Sequence, residues 1–193
     1  MMAYLDAWLD LKTVVWLFPV VFMFHDLEEI ITVEGWGRRN RHKLNRLLSA
    51  RLATNFEKIL NMTTAQFAVA VTVILVFVSS STFLAANEGS YLFFVTCITV
   101  AFLHVFTHAG QSLLLGAYTP GVVTAVTIVL PYSAYVYHRL FDSGLIGWQT
   151  VGLCVLLSLL AVPVVITALA AGRHMVPSGS GDRCTGKETG LVN

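Results

Sequence analysis

A chain of 193 residues is long enough for one domain, but 56% apolar and only 12% charged residues exclude an ordinary soluble fold. Soluble domains average about 45–50% apolar and about 25% charged residues. The net charge is only +1, yet seven of the twelve Lys and Arg residues lie between positions 38 and 58. The composition therefore predicts an integral membrane protein with one basic loop, and no nucleic-acid partner.

Five apolar stretches are long enough to cross a bilayer, which requires about 20 apolar residues per helix. Thr63 is an N-cap candidate for the second stretch, Gly89 lies in a tight turn after it, and Pro120 opens the fourth. The pattern predicts an all-α, polytopic membrane helical bundle, a single transmembrane domain at residues 1–175. Its spans are predicted near residues 13–33, 64–86, 90–116, 119–137 and 148–171.

The basic segment between the first two spans has leucines at helical spacing with Arg and Lys between them. This pattern predicts an amphipathic interfacial helix at about residues 41–60 on the cytoplasmic side. Because positive charge is retained in the cytoplasm, we expect the N-terminus outside and the C-terminus inside. Residues 176–193, rich in Gly, Ser and Thr, are expected to form a disordered tail.

Three carboxylates inside the predicted spans fall in one pentapeptide, His25-Asp26-Leu27-Glu28-Glu29. An ionisable group at the centre of a bilayer costs at least about 2.5–3.5 kcal/mol, so this concentration indicates a function. His25, Glu28 and Glu29 stand at i, i+3 and i+4 and share one helical face. Asp26 projects to the side of that face.

The third span supplies His104 and His108, which stand at i and i+4 and can converge on one metal ion. The first and third spans both run inward, and we expect their polar groups at similar depth. Mixed imidazole and carboxylate ligands suit a divalent ion such as zinc or iron. The predicted metal ligands are His25, Glu28, Glu29, His104 and His108.

Four further polar residues are expected to contact these ligands or the substrate. Gln66 and Thr119 lie at the inner starts of spans two and four, and Gln111 follows His108 on span three. Asp26, beside His25, is the fourth of this group. None of them is predicted to bind the ion directly.

The pentapeptide resembles the signature of the HXXEE family of small bacterial integral membrane proteins. The likeness would cover spans one to five, about residues 11–173, and includes the third-span histidines and the Thr119-Pro120-Gly121 sequence that opens span four. It implies a location in a bacterial inner membrane and a polar site at His25, Glu28 and Glu29. It implies nothing about a substrate.

The leading hypothesis is a metal-dependent membrane enzyme that acts on a lipid or another hydrophobic substrate at the cytoplasmic leaflet. Glu28 and Glu29 are the candidate catalytic residues: Glu28 would bind the ion with the histidines, and Glu29 would be the general base or a further ligand. One ion favours hydrolysis by a metal-activated water. Two ions bridged by a glutamate would permit oxygen-dependent hydroxylation or desaturation, but the paired Glu-x-x-His motifs of di-iron bundles are absent.

Three other interpretations use the same residues. A metal-free enzyme, an isomerase or cyclase, would donate protons from its carboxylic acids to an isoprenoid or sterol double bond. A protein without turnover would bind or transport a cation, a proton or a small ligand. Five spans without a repeat disfavour a self-contained carrier, an objection that a homo-oligomer would meet. A purely structural ion pair between His25 and Glu28 is the third interpretation.

Overall fold

The structure, a computed structural model, describes residues 6–47 and 62–177, with side chains described outside residues 41–47. Within those ranges every regular element is a helix, which confirms the all-α fold for the described part of the chain. The first three helices are α1 (Leu11–Leu47), α2 (Thr64–Glu88) and α3 (Tyr91–Leu115). Helix α4 comprises Val122–Thr124, a π-helical turn at Ala125–Val129, and Leu130–Asp142. Helix α5 comprises Trp148–Leu157, a 3₁₀ turn at Ser158–Leu160, and Ala161–Met175.

Three of the described helices are long and apolar enough to cross a membrane, namely α2, α3 and the whole of α5. The sequence predicted five spans, and those at residues 13–33 and 119–137 do not meet this criterion of length and composition. In α1 the longest uncharged stretch is bounded by Lys12 and Asp26, and it is too short for a span. Helix α4 is divided by its π-helical turn.

Helix α1 is longer than the span predicted at residues 13–33, because no proline after Pro19 interrupts it before Leu47. The interfacial helix predicted at about residues 41–60 therefore begins as a continuation of α1. The rest of that prediction, from residue 48, lies outside the described residues, as does the predicted tail from residue 178.

Side-chain caps hold the start of α2. The Thr63 hydroxyl accepts a hydrogen bond from the Gln66 N–H (3.2 Å), and Gln66 Oε1 accepts one from the Thr63 N–H (3.1 Å). This capping box confirms Thr63 as the N-cap. The Glu34 carboxylate of α1 accepts two further bonds, from the backbone N–H and the hydroxyl of Thr64, both at 2.8 Å. A glutamate of α1 thus fixes the beginning of the next helix.

The packed core lies toward the N-terminal end of α1, where α1, α3 and α4 meet. Phe18 packs edge-to-face on Phe94 with ring centroids 5.6 Å apart, and it stacks on Tyr132 at 6.2 Å. Val14 and Val136 are fully buried beside them. This apolar cluster aligns the three helices that carry the polar residues described below.

Helix α5 changes partner along its length. Its first part packs on α3 and its second part on α2, and the 3₁₀ turn lies between the two. Pro163 follows that turn and has no N–H to bond the Leu159 carbonyl, which explains the interruption. Near the end of α5, Gly172 approaches the backbone of α2 so closely that a Cβ atom would lie 2.2 Å from the Gln66 carbonyl oxygen.

We expect Gly172→Ala to lower the free energy of unfolding by about 1–3 kcal/mol, since overpacking against backbone forces the helices apart. The measurement is thermal unfolding in detergent, followed by tryptophan fluorescence. Gly152→Ala is the matched control on the same helix, because nothing lies within 4 Å of its Cβ position. Equal unfolding temperatures for the two variants would contradict the close contact between α2 and α5.

Candidate metal centre

Helices α1 and α3 bring four of the predicted residues together. His108 Nε2 lies 2.8 Å from His104 Nε2 and 3.1 Å from Glu29 Oε1. The His25 ring centroid is 5.5 Å from that of His104 and 4.9 Å from that of His108. One ligand atom from each of these four residues lies within 4.8 Å of the others. We call His25, Glu29, His104 and His108 the His/Glu cluster.

The donor set fits a metal ion of zinc type. Two ligand atoms of tetrahedral zinc, each about 2.0–2.1 Å from the metal, are about 3.3 Å apart. The nitrogen pair of His104 and His108, at 2.8 Å, needs to open by about half an ångström to reach that spacing. Three imidazoles and one carboxylate are ligands that zinc and iron both accept.

The hydrogen bond at the far side of His25 orients its ring. Its Nδ1 lies 3.1 Å from the Thr124 hydroxyl, and that hydroxyl donates to Glu28 Oε2 at 2.5 Å. Because the Thr124 proton is used for Glu28, Nδ1–H of His25 is the donor to Thr124. The lone pair of His25 is then on Nε2, which is buried and has no partner among the described residues. Metal-binding histidines are commonly oriented in this way.

His104 is oriented by a bond of the same kind. The Thr107 hydroxyl donates to the His104 carbonyl at 2.7 Å, and it lies 3.2 Å from His104 Nδ1. It therefore accepts Nδ1–H and leaves the lone pair on Nε2, directed at His108. Two lone pairs and the Glu29 carboxylate thus converge, and electron-rich atoms at this spacing require a proton or a cation between them.

Glu28, predicted as a metal ligand, is placed outside the His/Glu cluster. Its Oε2 accepts from the Thr124 N–H at 2.8 Å, and its Oε1 accepts from the Tyr118 hydroxyl at 2.7 Å. Thr124 is in the first turn of α4, where backbone N–H groups lack helical partners and attract a carboxylate. Glu28 therefore caps α4 and orients His25 through Thr124, while Glu29 occupies the position beside the histidines.

Gly121 closes the cluster from the start of α4. Its φ of +80° is a left-handed conformation that favours glycine. A Cβ atom there would lie 2.8 Å from both Glu29 Oε1 and His108 Cε1. The loop can cover the two ligands only because this residue has no side chain.

A cavity of about 590 Å³ adjoins the His/Glu cluster. Its walls come from all five helices, and 22 of its 28 lining residues are apolar. The other six are His25, Asp26, Glu29, Thr96, Cys97 and His104. His104 is exposed, and it is also one of the lining residues of the cavity. The cluster is therefore accessible to an apolar ligand.

The four residues predicted to support the site are not all near it. Asp26 is 6% exposed and lines the cavity. Thr119 is fully buried, and its hydroxyl has no partner among the described residues. Gln66 instead caps α2 and donates to the Val176 carbonyl at 2.7 Å. Gln111 is exposed and is not a lining residue of the cavity.

Two residues that contribute to the site, Thr124 and Tyr118, were not identified from the sequence. Thr124 lies in an apolar stretch with no polar neighbour to mark it, and Tyr118 resembles an ordinary aromatic residue at a membrane interface. Both act through Glu28, which is more than 85 positions away along the chain. Only the Thr119-Pro120-Gly121 sequence indicated that the start of α4 differs from an ordinary apolar span.

We expect Gly121→Ala to destabilise the protein more than Gly116→Ala does, by at least about 1 kcal/mol. Both glycines have positive φ, but a Cβ at Gly116 would meet nothing within 4 Å, so that variant measures the backbone strain alone. The free energy of unfolding can be compared by titration with SDS. Equal losses in the two variants would show that Gly121 does not press on Glu29 and His108.

Comparison with known proteins identifies the family of this chain. The chain is 23% identical over 155 residues to the "Uncharacterized protein YrkK" of Bacillus subtilis (strain 168), which covers 79% of this chain and 87% of that protein. No solved structure gave a significant match. The family described as "Protein of unknown function with HXXEE motif" matches residues 16–136, which include the whole His/Glu cluster and leave out α5. The chain therefore belongs to the HXXEE-motif family.

Proposed function

We propose that this protein is a metal-dependent membrane enzyme, hydrolase-like in its chemistry, that acts on a lipid or another hydrophobic substrate. The observation that supports the proposal is the position of the His/Glu cluster beside a largely apolar cavity. Apolar walls with a few converging polar groups are typical of a binding site for a small hydrophobic molecule. A site that served structure alone would not need such a cavity.

The proposal includes five membrane spans, with α1 and α4 crossing beside the three apolar helices. Polar residues within a membrane face the interior of a bundle, and His25, Asp26 and His108 are all buried. The basic segment after α1 would lie in the cytoplasm, so that the N-terminus is outside and the cluster is near the cytoplasmic leaflet of a bacterial inner membrane.

In this proposal His25, His104 and His108 hold one divalent ion, zinc or iron. When bound, such an ion supplies Lewis acidity and lowers the pKa of a coordinated water. Glu29 lies 3.1 Å from His108 Nε2, near enough to take a proton from a water in the cluster. It would return that proton to the leaving group, while the cavity holds the apolar part of the substrate.

A single ion is favoured over two because the described residues contain one group of this kind. Glu28 is already bonded to Thr124 and Tyr118, which leaves it poorly placed to bridge a second ion. These contacts support hydrolysis over the oxygen-dependent chemistry of two-ion sites.

Metal content is the first test. Protein loaded with zinc and freed of excess metal should retain about one ion per chain, and His104→Ala should weaken binding by at least about tenfold. His138→Ala is the matched control, since His138 lies 3.7 Å from Asp6 in a separate group. Glu28→Gln should still bind one ion at saturation, with lower affinity because His25 is less well oriented. Wild-type protein that holds no stoichiometric metal would refute the proposal.

Ester hydrolysis is the second test, with 4-nitrophenyl esters of acetate and dodecanoate as probes. The zinc-loaded protein should prefer the long chain, because only that chain fills the cavity. Glu29→Gln should lower kcat at least about 100-fold, the usual contribution of a general base. Glu28→Gln should retain more activity than Glu29→Gln at saturating zinc. Loaded protein that hydrolyses neither ester would favour a binding or transport role instead.

A further inference from the structure

Asp26 is a polar residue of the cavity wall that has no role in the His/Glu cluster. It is 6% exposed, and its Oδ2 atom has no hydrogen-bond partner among the described residues. It lines the cavity between Phe22 and Glu29 on α1. A buried acceptor without a donor is rare in folded proteins and is often completed by a bound molecule.

The cavity has a polar end and a long apolar part. Along α1 its wall runs from Phe18 through Phe22 to Asp26 and Glu29, a distance of about 16 Å by helical rise. Along α3 it runs from Leu92 to His104 and Val105. The four wall residues that carry an imidazole or a carboxyl group, His25, Asp26, Glu29 and His104, gather at one end, since the His25 and His104 rings are 5.5 Å apart. A ligand that matches this layout has one polar head and one apolar chain.

We propose that the cavity binds a single-chain amphiphile whose head group carries a hydrogen-bond donor, and that Asp26 binds this donor. The inference rests on the proposed function in that it names the ligand class of the same site, but the binding itself needs no metal. The cavity volume of about 590 Å³ suits one drug-sized molecule and not a two-chain phospholipid.

A donor on the head group satisfies Asp26 because a carboxyl group keeps at least one acceptor oxygen whether it is ionised or protonated. Rotation about the terminal torsion of Asp exchanges the two oxygens at little cost. A hydroxyl and an ammonium group both provide the missing hydrogen. An anionic head group at Asp26 is disfavoured, because it would meet the Glu29 carboxylate, which lies one helical turn away.

The experiment uses the full-length protein in lipid nanodiscs after treatment with a chelator. The probe is a 12-carbon alcohol with a diazirine at mid-chain, cross-linked by light and located by mass spectrometry of peptides. We expect adducts on the cavity-facing positions of α3 and α5, such as Cys97 and Val164. Unlabelled dodecanol should displace the probe at about a tenfold lower concentration than dodecyl methyl ether, which has the same chain and no donor.

Two variants test whether Asp26 is the residue that causes the preference for the alcohol over the ether. Asp26→Leu should remove the preference for dodecanol over the ether, whereas Phe22→Leu, one turn away in the same wall, should keep it. The comparison of alcohol and ether in the wild-type protein is decisive even if Asp26→Leu does not fold. Stronger displacement by dodecylamine than by dodecanol would support the inference and identify the donor as an ammonium group. Adducts only outside the cavity, or equal displacement by alcohol and ether, would overturn it.

The result of this cross-linking experiment can be distinguished from the result of the metal test. Selective binding of dodecanol, by a protein that also fails to retain zinc in the loading test, would support this inference and refute the metal enzyme. Stoichiometric metal together with equal displacement by alcohol and ether would support the metal enzyme and overturn this inference. His104→Ala, which removes a metal ligand and leaves Asp26 in place, should keep the preference for dodecanol.

Discussion

The contact between the Glu28 carboxylate and the first turn of α4 is the interaction on which the rest of the site depends. Glu28 is partly buried, and the free N–H groups at a helix start provide hydrogen-bond donors for such a carboxylate. Here the Thr124 N–H lies 2.8 Å from Glu28 and the Thr124 hydroxyl is bonded to the same oxygen. This contact holds α4 against α1, orients His25, and brings Gly121 over Glu29 and His108.

Two adjacent glutamates therefore have different surroundings. Glu28 satisfies its oxygens with Tyr118 and Thr124, and its bonds stabilise the arrangement of helices. Glu29, on the side of α1 that faces α3, contacts His108 and the cavity. Successive residues of an α-helix are rotated by about 100° about the helix axis, so neighbours in sequence face different partners. The division of roles follows from this geometry and from the position of α4.

The concentration of polar groups is the reason that α1 is not among the helices apolar enough to cross a membrane. Its residues His25, Glu28 and Glu29 meet polar groups of α3 and α4, while Phe24 and Ile31 are exposed. The cost of burying these ionisable groups is reduced by these contacts and not by the sequence around them. Helix α5, which the family match leaves out, contributes only apolar residues to the cavity wall.

The sequence by itself determined the helical class, the N-cap at Thr63 and the one-turn spacing of His104 and His108, because these depend on composition and on periods of three or four residues. It also marked the pentapeptide as the unusual feature. It could not decide between Glu28 and Glu29, identify Thr124, or show that Gln66 faces the end of α5 and not the histidines. Those outcomes depend on contacts between residues about 80 to 110 positions apart, and only the packing of the helices against one another selects them.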